Sequence, residues 1–315
     1  MLRLFQCKLS VPDMAHCDDA MLARVAATRL NLPVGDVRAA TVSRRSVDAR
    51  GHGGVFFTLT LDVRLCDPGL EARLARKFQP NQAVLLTDAQ LTERDVFSLQ
   101  TAPYGASRPR PVVIGAGPAG LFCALGLAAR GAKPLLLERG QPVEARARDV
   151  AALESDGLLN PESNVLFGEG GAGAFSDGKL TCGLNDPLIR TVLHTLVACG
   201  APEDILISAR PHIGTDLLRG VLTKARERLT ALGGEVLFSH RVTGLSLRDG
   251  RVASLTALTG AGAQVVKVDT DTVYLATGHS ARDTYAWLRE QAVPMAQKPF
   301  AMLLSPPRRM CKACM

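Results

Sequence analysis

The amino-acid sequence predicts an α/β chain in two parts: a small α+β unit in front, then a larger unit built on a parallel sheet. Three observations carry that prediction. Residues 1–97 open with a β-α-β-β-α order whose strands alternate apolar and polar residues. Residues 98–110 (SLQTAPYGASRPR) are rich in Pro, Gly and Ser and read as a linker. From residue 111, short all-apolar strands alternate with helices, as parallel strands buried on both faces do. The 315 residues, 47% hydrophobic and 21% charged, suit about two globular domains. They exclude extended disorder, a collagen and a small disulfide scaffold.

In the front unit, residues 2–9 alternate like a strand. Asp18–Leu30 has apolar residues at helical spacing and an acidic first turn. Val37–Val47 reads as a second strand, ending in the polar turn Asp48–Gly54. In Val55–Leu65, residues Phe57, Leu59, Leu61, Val63 and Leu65 share one face. Residues 69–78 read as a helix. This order implies a small α+β sandwich of ferredoxin-like character. In the second part, PVVIG, the segment Pro118–Arg130 and PLLLE read as strand, helix and strand. Residues 168–178 form a glycine-rich loop. Ile189–Cys199 and Thr215–Leu232 read as helices; 235–242, 244–257, Val265–Val268 and Thr272–Ala276 read as strands.

The formal charge of +7 invites a nucleic-acid or membrane reading. Residues 1–110 carry +4, residues 111–298 carry zero and residues 299–315 carry +3. The second unit is therefore electrically balanced. Phe56 and Phe57 are consecutive and point to opposite faces of their strand, which argues against a base-stacking platform. Val112–Ala129 is 18 residues without charge, long enough to be a membrane-span candidate, but Gly115, Gly117, Pro118 and Gly120 near its start fit strand, turn and helix better. The eight cysteines are scattered, no signal peptide is visible, and a cytoplasmic protein binding neither nucleic acid nor membrane is expected. Cys311-Lys-Ala-Cys314 has no partner pair, so no metal site is expected.

The strongest signal is G-x-G-x-x-G at Gly115, Gly117 and Gly120, directly after an apolar strand and opening a helix. The first glycine permits the tight turn, the second admits a pyrophosphate, and the third lets helix and strand pack closely. The helix start at Pro118 and Ala119 offers N–H groups and a positive dipole end to phosphate oxygens. The next strand ends at Glu138, 18 residues past Gly120, where a carboxylate accepts hydrogen bonds from a ribose diol. A Rossmann-like unit binding an adenine dinucleotide follows. The residues leave FAD and NAD(P) open. Arg146 and Arg148 either reach the pyrophosphate or lie on an exposed helix face.

Gly-Ala-Gly-Pro-Ala-Gly-Leu followed by Glu138-Arg139-Gly resembles the FAD site of glutathione-reductase-type flavoproteins. Tyr274-Leu-Ala-Thr-Gly278 resembles their second glycine turn, which implies that Thr277 and Gly278 pass near the dinucleotide. The strand over 234–242 resembles the one that presents backbone to the adenine, which implies Val242 there. Over residues 111–301 the chain resembles a family of FAD-dependent dehydrogenases, through PVVIGAGPAGLFCALGLAARGAKPLLLERG, NVLFGEGGAGAFSDGKL, GAPEDILISARPHIGTD, LATGHSARDT and KPFA; the front unit matches through Arg45–Arg50. The resemblance implies that Phe167–Leu180 lies near a flavin, with Gly170, Gly171, Ser176, Asp177 and Lys179 as candidates. His212 and His279 are either proton-transfer groups or hydrogen-bonded structural residues.

The cofactor candidates are thus Gly115, Gly117, Pro118, Ala119, Gly120, Glu138, Arg139, Arg146, Gly170, Gly171, Ser176, Asp177, Val242, Thr277 and Gly278, with no catalytic acid or base assigned. The expected function is an FAD-dependent oxidoreductase acting on an unidentified small molecule and acceptor, with NAD(P)H as a transient donor. The alternatives are a non-catalytic remnant with a residual nucleotide site and an NAD(P)-binding enzyme. No redox-active C-x4-C follows the first βαβ unit. After Ala301 the chain departs from the family, and 302–315 reads as an atypical tail such as a shifted frame or truncated gene gives. A late Gly-Asp turn, which the resemblance implies for the flavin's ribityl arm, is missing. Weak FAD binding and an exposed apolar face are the expected consequences.

Overall fold

The computed structural model describes residues 1–50, 54–87, 95–98, 103–105, 109–176, 178–181, 184, 186–260 and 264–297. In the front unit, β1 (Leu2–Ser10) leads through α1 (Val11–Ala15) into α2 (Asp19–Leu30); β2 (Val37–Asp48), β3 (Phe56–Leu65), α3 (Pro68–Lys77) and β4 (Ala83–Leu85) follow. Their sheet is antiparallel in the order β2-β3-β1-β4. Capping sets the helix starts. The Asp18 carboxylate accepts from Met21 N–H at 2.7 Å, and that of Asp67 from Gly69 N–H at 2.8 Å. Asn31 ends α2 in the left-handed region, φ 55°. The alternation read in β3 places Leu59, Leu61, Val63 and Leu65 inward, against Leu22 and Ala26 of α2 and Leu74 of α3.

The second unit contains β5 (Val112–Ile114), α4 (Pro118–Ala129), β6 (Leu135–Leu137), α5 (Val143–Asp156), α6 (Leu188–Ala198), α7 (Asp204–Ile207) and α8 (Thr215–Ala231). It continues with β7 (Glu235–Leu237), β8 (His240–Arg248), β9 (Arg251–Thr259), β10 (Gln264–Asp269), β11 (Val273–Leu275) and α9 (Arg282–Glu290). Four of these strands form a parallel sheet in the order β11-β5-β6-β7. Its two faces feed different cores. Val113 and Leu136 pack with Leu125 of α4 and with Val221 and Leu222 of α8. Val112, Ile114, Leu135 and Leu137 pack with Val242, Leu255 and Ala257 of the antiparallel β8–β10 sheet and with Trp287 of α9. Burial on both faces explains why the central strands β5 and β6 are uniformly apolar. The uncharged stretch Val112–Ala129 is divided into β5 and α4, and among the described residues no helix is long and apolar enough to cross a membrane.

Two sequence readings need correction. The strand expected over 244–257 is a hairpin, with β8 and β9 joined at Asp249 and Gly250, φ 52° and 73°. Two consecutive positive φ values favour Asp-Gly, so the turn carries its own signature in the sequence. Residues 95–98, assigned to the end of the front unit and the start of the linker, pack on the second unit instead. Val96 N–H donates to Thr195 Oγ1 of α6 at 2.9 Å, and Val96 joins the α4 core.

The two units meet at β2 and α7. Ala209 N–H donates to the Arg45 carbonyl at 2.8 Å, and the Arg45 guanidinium pairs with Asp204 at 2.5 Å. The Arg50–Asp48 pair beyond it is a surface contact, with Arg50 90% exposed.

Candidate functional site

A cleft of ≈ 270 Å³ runs across the C-terminal ends of β11, β5 and β6 to the start of β8. In open parallel sheets, ligands bind in this position. Gly115, Gly117, Pro118, Ala119, Glu138, Arg139, Gly171, Val242, Thr277 and Gly278 line it, among the residues singled out in the sequence.

The three motif glycines have distinct physical roles. Gly115 adopts φ +101°, and a Cβ there would lie 2.4 Å from the Ala276 carbonyl oxygen. A Cβ on Gly120 would lie 1.8 Å from the Gly115 carbonyl oxygen. Gly120 is therefore a packing glycine, outside the cleft lining. A Cβ on Gly117 would meet nothing nearer than the Gly171 Cα at 3.9 Å, so the space before Gly117 is open cleft. No side chain caps α4, whose N-cap is Gly117 and whose first turn begins with Pro118. Among the described residues, the N–H groups of Ala119 and Gly120 have no acceptor. Free N–H groups, a positive helix end and an open space beside Gly117 fit a pyrophosphate.

Glu138 is buried, and its carboxylate is already engaged with backbone. Oε1 accepts from Gly140 N–H and Gly168 N–H, both at 2.9 Å, and Oε2 from Ala116 N–H at 2.7 Å. It ties the first glycine turn, the β6 end and the second glycine loop together. A carboxylate has about four acceptor positions, so three backbone bonds leave room for one ribose hydroxyl at the cleft surface.

Arg139 belongs to a ring of alternating charges on the cleft rim. It pairs with Glu162 at 2.9 Å and Asp283 at 3.0 Å, while Arg241 approaches the same two carboxylates at 3.5 Å each. The Arg139 guanidinium also stacks on Phe167, 4.2 Å from the ring centroid. Burial lowers the Arg139 pKa, but the two carboxylates outweigh it and hold the group above its usual value. Asp283 is held below the usual carboxylate range: burial raises it, and Arg139 more than offsets that. Asp283 thus pairs with arginines far from it in the sequence.

The glycine loop folds over the pyrophosphate space. Its short 3-10 turn, Gly171–Phe175, begins beside Gly117, and Gly170 N–H donates to the Ala116 carbonyl at 2.8 Å. Gly170 itself faces inward, where a Cβ would lie 2.4 Å from Leu222. It supports the loop and does not line the cleft. Ser176 also lies outside the lining; its hydroxyl donates to the Gly173 carbonyl. Asp177 lies outside the described residues. Lys179 and His212 bridge to each other across an antiparallel pair away from the cleft, whereas His279 lines it.

Arg146 is the clearest correction. It neither reaches the pyrophosphate space nor lies on an exposed face. It is fully buried and donates to the carbonyls of Asn164, Val165, Gly168 and Glu169, while stacking on Phe175 at 4.7 Å. Burial pushes its pKa down to about 10, against the pull of Glu138 and Glu169. Arg148 is the exposed residue of the pair.

Beneath the loop, Glu169 accepts from Val143 N–H at 2.8 Å, capping α5 from outside, and pairs with Arg226 of α8 at 2.8 Å. Burial raises its pKa to about 7, with Val143 N–H and Arg226 opposing. Between its ordinary 4.5 and about 7, the folded chain keeps a proton that the unfolded chain releases. Stability therefore falls as pH rises through this window, by up to about 1.4 kcal/mol per pH unit, and levels off above it. Thermal unfolding midpoints across the window are expected to show this slope, and Glu169→Gln to remove it. A parent whose midpoint rises with pH there contradicts the assignment.

Glu162, His240 and Arg241 carry no signal in the sequence that marks them for the site. Glu162 and the His240-Arg241 pair come from distant segments, and no local spacing marks them as neighbours. Among the described residues, no group of His, Cys, Asp or Glu is placed to hold a metal ion.

Residues 1–64 match a family described as a domain of unknown function (DUF8436), and residues 110–159 match the family described as FAD binding domain. A protein of Clostridium beijerinckii (strain ATCC 51743 / NCIMB 8052), described as "Uncharacterized protein", is 36% identical over 306 residues, covering 96% of this chain and 53% of that protein. The chain thus spans about half the length of this curated relative. Among solved structures, the THI4 protein of Thermovibrio ammonificans is 16% identical, covering 59% of this chain and 64% of that one, with a TM-score of 0.41. The 3-ketosteroid-delta4-(5alpha)-dehydrogenase of Rhodococcus jostii RHA1 is 22% identical, covering 59% and 48%, with a TM-score of 0.36. The glycine turn, α4, Glu138 and Arg146 all fall within the stretch that matches FAD binding domains.

Proposed function

We propose that this chain is an FAD-dependent oxidoreductase, or the part of one that holds the cofactor's ADP half. The observation that carries the reading is the uncapped start of α4 facing open space at Gly117, with Glu138 at the end of the next strand. The match of residues 110–159 to FAD binding domains supports flavin over nicotinamide. FAD, when bound, supplies the hydride and electron chemistry. The chain's own residues do the rest of the work proposed here. Ala119 and Gly120 N–H groups hold phosphate oxygens, Glu138 orients a ribose hydroxyl, and the loop over Gly168–Phe175 excludes water from that region. The Arg139–Glu162–Arg241–Asp283 ring is internally neutral, so phosphate charge is met by backbone N–H groups and the α4 dipole. We read the front unit as ferredoxin-like, from its β-α-β-β-α-β order and the strand order β2-β3-β1-β4. The substrate is a small molecule of undefined class.

The test is the visible absorbance of the purified protein, with mass spectrometry of any released nucleotide. Flavin absorbance with FAD released at near one per chain is the expected result. Release of a nicotinamide dinucleotide, or no binding of added FAD or ADP, overturns the reading.

A further inference from the structure

The cleft extends past Glu138 to the start of β8, where His240 and Val242 lie on its wall. Resting on the proposed nucleotide reading, the geometry points to His240 as the side chain that selects adenine over other purines.

The order of groups along the cleft sets the location. A pyrophosphate at the α4 start and a ribose at Glu138 leave the base to lie over the next position across the sheet. That position is β8, because His240 N–H donates to the Glu138 carbonyl at 2.9 Å. Val242, buried two residues further along β8, supplies an apolar floor for a flat ring.

The ring of His240 is set chemically. Its Nδ1 lies 2.7 Å from the Phe238 carbonyl oxygen. A carbonyl only accepts, so Nδ1 carries the proton. In the neutral ring, Nε2 is then an acceptor, and it has no partner among the described residues. With His240 on the cleft wall, such an acceptor matches the exocyclic amine of adenine, which donates. It mismatches hypoxanthine, which carries a carbonyl oxygen at the same ring position. Two facing acceptors leave both polar groups unpaired, and that loss is the basis of discrimination.

The experiment measures ADP and IDP binding by calorimetry to the full chain stripped of nucleotide. The expected result is that ADP binds about tenfold more tightly than IDP, the loss of about one hydrogen bond. His240→Phe keeps a flat ring but no acceptor, and the ADP/IDP ratio is expected to fall to about one through weaker ADP binding. His240→Gln, whose amide rotates to donate or accept, is expected to bind both within about twofold. Unfolding midpoints equal to the parent's show that both variants fold. Equal ADP and IDP affinity in the parent overturns the inference and leaves the nucleotide site standing. A ratio unchanged in both variants also overturns it, as does an equal loss for both nucleotides, which marks the ring as a packing surface. Absence of binding by either nucleotide overturns the inference and the functional reading together.

Discussion

Gly117→Ala is expected to leave the fold intact and to weaken nucleotide binding at least about a hundredfold, whereas Gly120→Ala disrupts the fold itself. The contrast follows from what a methyl group meets. At Gly117 the backbone has φ −69°, which alanine adopts freely, and the nearest atom to a Cβ is 3.9 Å away. The added carbon therefore projects into the cleft, where a pyrophosphate would make its closest backbone approach. At Gly120 the Cβ would lie 1.8 Å from the Gly115 carbonyl oxygen and 3.3 Å from the Ala276 Cβ. Three segments would have to separate, at about 3 kcal/mol or more. For a unit of this size, that lowers the unfolding midpoint by roughly 6–12 °C. Circular-dichroism melts and ADP titration of the two variants separate the effects. A Gly120→Ala protein that melts like the parent, or a Gly117→Ala protein that binds ADP normally, contradicts these assignments.

Arg146→Met is expected to be the most damaging change outside the cleft, at about 4 kcal/mol. Its guanidinium satisfies carbonyls of four residues in a loop that has no regular ladder of its own. Removing it leaves those carbonyls buried and unpaired, and each such group costs about 1–3 kcal/mol, partly recovered by loop movement. Arg146→Lys is expected to recover at most about half, because one ammonium nitrogen cannot span four separated acceptors as a planar fork does. The packing leaves no alternative path for the chain: a Cβ at Gly168 would lie 2.4 Å from the Arg146 Cδ. Limited proteolysis is expected to cut first within residues 157–175 of the Arg146→Met protein. Equal protease resistance of the variant and the parent would sink the idea that Arg146 organises the loop.

Much of the local architecture was legible in the sequence. The start of α2 at Asp19 follows from the Asp18 cap, β3 from its alternation, and β5, α4 and β6 from the apolar run with glycines at its turn. Each depends on interactions within a few residues, and such interactions leave a periodic or capping signature. The second glycine loop was recognisable as a feature, but its internal roles were not. Gly170 and Gly171 are neighbours in sequence, yet one packs on Leu222 and the other lines the cleft. Arg146 gave no sign of burial, because the carbonyls it serves lie 18 to 23 residues away.

By itself, then, the sequence determined the order of strands and helices, the glycine turn with its acid, and the electrical balance of the second unit. Only the tertiary structure decided that Arg146 is a strut, that Arg139 faces Asp283 across 144 positions of sequence, and that His240 shares a wall with Val242 at the far end of the cleft. The division has one physical cause. Backbone conformation and capping are set by neighbours along the chain. Which carboxylate meets a guanidinium, and which imidazole nitrogen faces a ligand, is set by segments that meet only when the sheet closes and its two faces are covered.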